Sequence, residues 1–293
     1  MLAGCAFSDP RIEGVPPSGP AHSTQYAQVG DDVHTAWGLL AGMADLDSSN
    51  GQWASMAQTL ASQWLVLTGP DPLHRLPANE ATLGDATLVA DASDATAAAN
   101  TALTSARDTA LSQANSSAGL AAAFWAGLAA GLEQVRMGLA GPYEAATQPD
   151  HTVTITIMDE STALSDLISR YDEGVFAMRS AMGFMDPSDP DQSTFKVVLS
   201  TLQTDEATLT DLSVSTGASP TPPGLYELPS GRDHDAAMAL LARTQKALTE
   251  ASLVWAASST DPTQATEYVM SNATLAMGYG LGTAAWPGWP DSE

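Results

Sequence analysis

Few side chains in this sequence could carry out chemistry, and their spacing restricts what that chemistry could be. The chain has one cysteine, five histidines and 34 acidic residues. A single cysteine excludes an internal disulfide and any zinc or iron–sulfur site built on several thiolates. No Glu-x-x-His pair, Gly-x-Ser-x-Gly turn, phosphate loop or dinucleotide motif occurs, so no catalytic residue is predicted. The histidines lie in separate segments and form no ligand pair by spacing: His22, His34, His74, His151 and His234.

The single cysteine, Cys5, ends the tetrapeptide Leu-Ala-Gly-Cys. This tetrapeptide matches the lipobox of bacterial lipoproteins, whose cysteine becomes the acylated first residue of the mature chain. A chance match around a buried free thiol is the alternative. Only Met1 stands where a secretory signal would carry a basic region and about 7–15 apolar residues, so we expect a late-assigned start or a chain trimmed at its mature end. We predict lipid attachment at Cys5 and an extracytoplasmic location on the cell membrane.

The charge of the chain is strongly one-sided, with 34 acidic residues against 10 basic ones and a formal net charge of −24. Such a chain repels phosphate backbones, which excludes nucleic acid as a partner. The acidic residues are spread along the sequence, which is typical of a solvated surface, and a specific cation-binding role is the alternative. A halophilic source would give the same excess of acidic residues.

The spacing of apolar residues predicts an all-α protein of two antiparallel helical bundles. We place a lipobox remnant and a proline-rich tether at residues 1–27, a first bundle at 28–150 and a second bundle at 151–293. In the first bundle, an alanine-rich stretch from about Asn79 to Gln113 predicts one helix, because alanine is a strong helix former. The strand-like alternation of Thr152–Ile157 is too short to build a sheet, and we predict that it links the bundles.

The second bundle has four seams in which apolar residues alternate spacings of three and four, the pattern of antiparallel helix packing. Each seam has one polar residue near its midpoint. If the helices pack in register, the four side chains meet in one buried polar layer, formed by Tyr171, Asp205, Gln245 and Asn272.

The second half also resembles a ferritin-like domain of unknown function that occurs in actinobacterial lipoproteins. The resemblance covers roughly residues 160–291 and rests on Gly217–Pro220, on Leu225–Pro229 before an alanine-rich helix, and on the tail Ala285–Asp291. It implies a ferritin-like four-helix bundle with a metal site at its middle wherever the ligands are intact.

The ligands of that family are replaced in this sequence. A Glu-His pair on the first helix and a histidine-containing, arginine-rich stretch on the second give way to Tyr171–Glu173 and Thr204–Glu206. A di-iron bundle needs about four inward carboxylates and two histidines, so we predict neither a di-metal site nor a cofactor. Three readings of the polar layer remain: an altered ligand or metal pocket, a hydrogen-bonded layer that fixes helix register, or a solvated Asp205 rotated outward with Glu206.

These observations predict a non-catalytic binding or structural module of the cell envelope. Its expected partners are the membrane, through the lipid, and an envelope protein bound by a bundle surface or by the groove between the bundles. The alternative is a metal-binding ferritin-like protein or an oxidoreductase with an atypical carboxylate site. We expect Trp286 and Trp289 to fold back onto a bundle, because large exposed apolar patches are uncommon. The carboxylates of the alternative site are Asp172, Glu173, Asp205 and Glu206.

Overall fold

The computed structural model describes residues 24–79, 81–144, 146–148, 153–220, 226, 228–278 and 283–290. Within these residues the protein is all-helical, as the apolar spacing predicts, and no β-strand occurs among them beyond two isolated bridges. None of the helices in this part of the chain is both long and apolar enough to cross a membrane. Cys5, most of the predicted tether, His22 and His151 lie outside the described residues.

The described helices fall into two sets of four. The first half contains α1 (Thr24–Leu46), α2 (Gly51–Leu67), α3 (Ala92–Ser116) and α4 (Leu120–Gly138), with one turn of 3₁₀ helix at Pro72–His74. The second half contains α5 (Glu160–Phe184), α6 (Gln192–Thr216), α7 (His234–Ser258) and α8 (Thr263–Gly278).

Side-chain caps fix the starts of three helices, because the first N–H groups of a helix have no partner within it. Asn50 accepts a hydrogen bond from the second residue of α2, and Asp233 accepts one from the third residue of α7. Asp91 accepts two, from the second and third residues of α3. Gly217 ends α6 with a φ of 73°, in the left-handed region that favours glycine.

In the first half, α2 runs back along α1, and the connection that follows α2 returns the chain to the other end of α1. The end of α2 at Leu67 lies against Gly30 of α1. The start of α3 lies at the other end of α1, where the Thr96 Oγ1 is 3.9 Å from the Met43 Sδ. Helices α2 and α3 therefore run parallel to each other and antiparallel to α1, and the connection between them spans the length of the bundle. A short turn then reverses the chain into α4.

The predicted helix from Asn79 is wrong in its first part, because α3 begins at Ala92. Residues 81–91 instead lie along α1, where the N–H of Thr87 donates to a carbonyl of that helix at 3.0 Å. Gly42 permits this crossing, since a Cβ there would stand 2.0 Å from the carbonyl oxygen of Thr87. The contacts that this segment makes where it crosses α1 outweigh the helix propensity of its alanine residues.

The second half follows the same path. After α6, the N–H of Ser219 donates to the Ser165 Oγ near the start of α5 at 3.0 Å. At the other end of α5, the His234 Nδ1 at the start of α7 lies 3.4 Å from the Asp189 Oδ2. The described ends of the connection from 217 to 233 therefore lie at opposite ends of α5, its described Tyr226 stacks on Phe176 of α5, and α6 runs parallel to α7. Each half therefore has two helices, a long connection between opposite ends of the first helix, and two further helices.

The two halves pack on each other through their last helices. Helix α4 contacts α7 and α8, and α8 also contacts α3. The buried apolar residues of both halves form one continuous cluster. Residues 153–157 of the predicted link are neither helix nor strand.

The C-terminal segment, residues 283–290, lies in the groove between the halves. Ala284 forms an isolated bridge with Thr147. Trp286 and Trp289 are 1% and 2% exposed, which confirms that they fold back onto the bundles. Gly131 lets the C-terminal segment pack closely on α4, because a Cβ at this position would stand 2.3 Å from the carbonyl oxygen of Ala285.

Candidate functional site

Three of the four predicted polar residues meet in the middle of the second half. Tyr171, Gln245 and Asn272 come from α5, α7 and α8, and each is at most 4% exposed. The Tyr171 hydroxyl donates to the Asn272 Oδ1 at 3.3 Å. The Gln245 Nε2 donates to the backbone oxygen of Asn272 at 2.8 Å and to its Oδ1 at 3.3 Å. Asn272 is therefore the centre of the group.

Ser252 is a further member that the seams did not predict. The Asn272 Nδ2 donates to the Ser252 Oγ at 2.9 Å, and the Ser252 hydroxyl donates to the Leu248 carbonyl at 2.8 Å. The available signal was spacing: Ser252 follows Gln245 by two helical turns and so lies on the same face of α7. Tyr171, Gln245, Ser252 and Asn272 are referred to below as the polar layer.

Asp205 lies at the edge of this layer. Its side chain is half-buried and makes no hydrogen bond with the described residues of the layer. Burial raises the pKa of the Asp205 carboxyl. Burial, followed by the charge of Asp205, raises the pKa of Tyr171 well above its usual range. The same causes, together with the charge of Glu267, raise the pKa of Tyr268 to about 12.

The polar layer consists of uncharged groups: one phenol, two amides and one hydroxyl. The raised pKa of Tyr171 keeps its phenol protonated, so it acts as a hydrogen-bond donor. Buried polar groups are stabilising when they satisfy one another and costly when they do not. The four side chains offer no carboxylate, imidazole or thiolate, the groups that bind transition metals most strongly. The arrangement is therefore suited to fixing the register of three helices.

The other carboxylates of the predicted alternative site lie near Tyr226, in the connection between α6 and α7. The Tyr226 hydroxyl donates to the Asp172 Oδ2 at 2.5 Å, and its ring stacks on Phe176 with 4.6 Å between centroids. Burial, this hydrogen bond and the charges of Asp172, Glu173 and Glu206 raise the pKa of Tyr226 above its usual range. Burial and then the charge of Asp172 raise the pKa of Glu206. This group holds a tyrosine in place against α5.

One group of possible metal ligands does converge in the described part of the chain. Asp189, Asp191 and His234 place one ligand atom each within 4.8 Å of one another. The two aspartates belong to the connection between α5 and α6, and the histidine is the first residue of α7. The spacing of ligands in the sequence did not predict this group, because 43 to 45 residues separate His234 from the two aspartates.

A cavity of about 290 Å³ lies in the groove between the halves. Helices α4, α7 and α8, Thr147 and the C-terminal segment form its walls. The amide side chains of Gln134 and Gln245 line it, together with three charged residues, the exposed Arg243 and Lys246 and the half-buried Glu250. Gln245 thus connects the polar layer with this cavity.

A second cavity, of about 450 Å³, lies between α8 and the pair α3 and α4. Glu133 lines it and accepts hydrogen bonds from Arg107 at 2.7 Å and from Arg136 at 2.5 and 2.8 Å. Burial opposes the ionisation of Glu133, but the hydrogen bonds and charges of the two arginines outweigh it and lower its pKa. This ion-pair network joins α3 to α4 beside the second half.

No protein-family model, no curated protein and no solved structure matches the chain.

Proposed function

We propose that the protein is a non-catalytic, extracytoplasmic lipoprotein that binds a component of the cell envelope and carries no cofactor. The observation that carries this proposal is the polar layer. At the middle of the second half, where ferritin-like proteins keep metal ligands, this chain has a phenol, two amides and a hydroxyl bonded to one another. Groups that already satisfy one another have little left to offer a substrate or a metal.

We also propose that the second half is a ferritin-like bundle, and the path of its chain supports this. Ferritin-like bundles have one long crossover connection among four helices. The connection from 217 to 233 has this character, because it joins the end of α6 to the far end of the bundle, where α7 begins. The first half has an equivalent connection from 68 to 91, between the end of α2 and the start of α3. We therefore propose that the chain of the first half also follows a ferritin-like path.

We place the partner in the groove between the halves. The cavity of about 290 Å³ there is close to the lower size of ligand pockets in proteins. Two cationic side chains, Arg243 and Lys246, line it with one carboxylate, Glu250, so its charged lining is positive by one in a chain whose net charge is −24. A local positive patch on an acidic protein attracts negatively charged groups, so we propose an anionic group of an envelope component as the part that enters.

Charge reversal tests this placement. Lys246→Glu should reduce recovery of envelope components in pull-downs from envelope extracts, and Lys196→Glu serves as the matched control because it changes the only other lysine, exposed on α6. Equal recovery by the wild type and both variants would contradict a partner in the groove.

Attachment through Cys5 is tested separately. A single acyl chain binds membranes only marginally, so stable display requires the several chains that lipoprotein processing would add. Cys5→Ser in a full-length precursor should release the protein from the membrane fraction. A variant that remained there in full would overturn the lipoprotein proposal.

The second candidate is a metal-binding ferritin-like protein or an oxidoreductase. The observation in its favour is the half-buried Asp205 carboxylate at the edge of the polar layer, whose charge adds to the burial that raises the pKa of Tyr171 and of Tyr268. Stoichiometric iron in the purified protein, lost in Asp205→Asn, would favour this candidate over the binding module.

A further inference from the structure

The connection between α5 and α6 and the start of α7 bring together three side chains that are all metal ligands in proteins. Asp189 and Asp191 supply carboxylate oxygens, and His234 supplies an imidazole nitrogen from a distant part of the sequence. The donor set is mixed, so it is more than a patch of acidic residues. A site with two oxygens and one nitrogen is of the kind that binds zinc and related divalent ions.

The distances fit a single ion. Zinc bonds to carboxylate oxygen and imidazole nitrogen are about 2.0–2.1 Å long, so two ligands of a tetrahedral ion stand about 3.3–3.4 Å apart. The Asp189 Oδ2 and the His234 Nδ1 are 3.4 Å apart, which is longer than the usual N–H···O hydrogen bond of about 2.7–3.2 Å. The ligand atom of Asp191 lies within 4.8 Å of both, within the movement that a rotamer change supplies.

The Asp189 carboxylate is held in place, and neither carboxylate is fully used by other contacts. The Asp189 Oδ1 accepts the N–H of Asp191 at 2.9 Å, which directs its Oδ2 toward His234. Asp191 occupies the N-cap position of α6, but its side chain makes no capping hydrogen bond. Pro187 and Pro190 stiffen this connection, so little backbone entropy remains to be lost when an ion binds.

We propose that Asp189, Asp191 and His234 form a zinc site of three protein ligands, completed by water. The side chain of His234 is 49% exposed, so an ion can enter directly from solvent. Calcium is a poorer fit, because it takes six to eight oxygen ligands and no imidazole. The ion would join the α5–α6 connection to the start of α7. In the sequence, α6 and the connection from 217 to 233 lie between these two parts of the chain. This site is independent of the function proposed for the groove.

Isothermal titration of the full chain with zinc tests the site. We expect one equivalent to bind, with a dissociation constant raised at least about tenfold in Asp189→Asn and in His234→Gln, since each removes one ligand of three. Asp211→Asn, exposed on α6, and His74→Gln are the matched controls and should bind zinc as the wild type does. Zinc should also raise the thermal midpoint of the wild type, and this increase should be smaller in the two ligand variants.

Cobalt in place of zinc gives a readout of geometry, because a tetrahedral cobalt site with nitrogen and oxygen ligands absorbs visible light strongly and an octahedral one weakly. Circular dichroism of Asp189→Asn and His234→Gln shows whether each variant keeps its helices, and an unfolded variant is replaced by Asp191→Asn. The proposal is overturned if the wild type binds no zinc, in which case Asp189 and His234 make a polar side-chain contact only. It is equally overturned if the ligand variants bind zinc as tightly as the controls.

Discussion

The two halves follow the same path but use their buried polar residues differently. In the second half, these residues bond mainly to one another across α5, α7 and α8 and form the polar layer. In the first half, two buried glutamines reach outward instead. Gln63 donates to the Ala285 carbonyl, and Gln134 donates to the Ala273 carbonyl and accepts from the N–H of Ala284, so both hold the second half or the C-terminal segment.

This difference indicates what each set of polar residues contributes. A bundle with this path forms in the first half around an apolar middle of alanine and leucine, so the path itself does not require a polar layer. The layer instead restricts how α5, α7 and α8 can align, because a shifted helix would leave buried amides unpaired. The outward bonds of the first half fix how the halves and the C-terminal segment fit together.

The largest expected effect comes from the segment that both halves share. Trp286→Ala should lower the free energy of unfolding by about 3–5 kcal/mol, because it removes a fully buried aromatic side chain against α4. Chemical denaturation measures the change. Leu88→Ala is the control, because Leu88 is 100% exposed, and its effect should stay within about 0.5 kcal/mol. A loss for Trp286→Ala no larger than the control's would show that the segment is not part of the core.

Asn272→Leu tests the polar layer directly. It should cost about 1–3 kcal/mol, because it leaves the buried Tyr171 hydroxyl without its acceptor. Adding Tyr171→Phe to that variant should cost less than Tyr171→Phe alone costs in the wild type, since the donor is then already unpaired. Urea unfolding of the four proteins measures the coupling. Strictly additive losses would mean that the two side chains do not act together.

The sequence predicts most members of the polar layer but not the course of the chain between the helices. Helical periodicity in the second half placed Tyr171, Gln245 and Asn272 on facing stripes, because a seam of threes and fours leaves little freedom in which residues turn inward. Ser252 was missed because a serine in a helix packs like any small residue. The start of α3 was misplaced because alanine content says nothing of where a return segment must cross another helix.

Contacts between distant segments were not predictable in the same way. Gln63 and Ala285 are 222 positions apart, and no local pattern marks a glutamine that will meet a backbone carbonyl from the other end of the chain. The same holds for Glu133 and Arg107, which lie on α4 and α3, whereas Arg136 is a local partner three residues after Glu133 on α4. A single sequence predicts which residues share a face of one helix, but it does not predict which residues of different helices contact each other.

Glu133 gives the pH dependence of the first half. Its pKa is lowered in the folded protein despite burial, by Arg136 and Arg107, so the carboxylate binds its proton less tightly when folded than when unfolded. Its stabilisation is present above the ordinary glutamate pKa of 4.5 and is lost as the pH falls through the lower folded value. Glu133→Gln should therefore cost roughly 1–3 kcal/mol at pH 7 and much less at pH 3. Equal losses at both pH values would contradict this account.

The smallest effect is expected at Asp205. Burial raises its pKa, so the folded protein binds the proton more tightly and ionisation at neutral pH opposes folding. Asp205→Asn should leave the stability at pH 7 unchanged or raise it by up to about 1 kcal/mol, and the gain should vanish as the pH falls below the unfolded pKa. Thermal unfolding at pH 7 and pH 3 measures this. A large loss at pH 7 would make the carboxylate the centre of a necessary network.

The most direct test of the central claim is anaerobic titration of iron(II) into Asp189→Asn, a variant in which the proposed zinc site lacks a ligand. The claim is that the middle of the second half is an uncharged, hydrogen-bonded layer, and it predicts no stoichiometric iron binding in this variant. One or two equivalents of tightly bound iron, lost when Asn272→Leu is added, would contradict it.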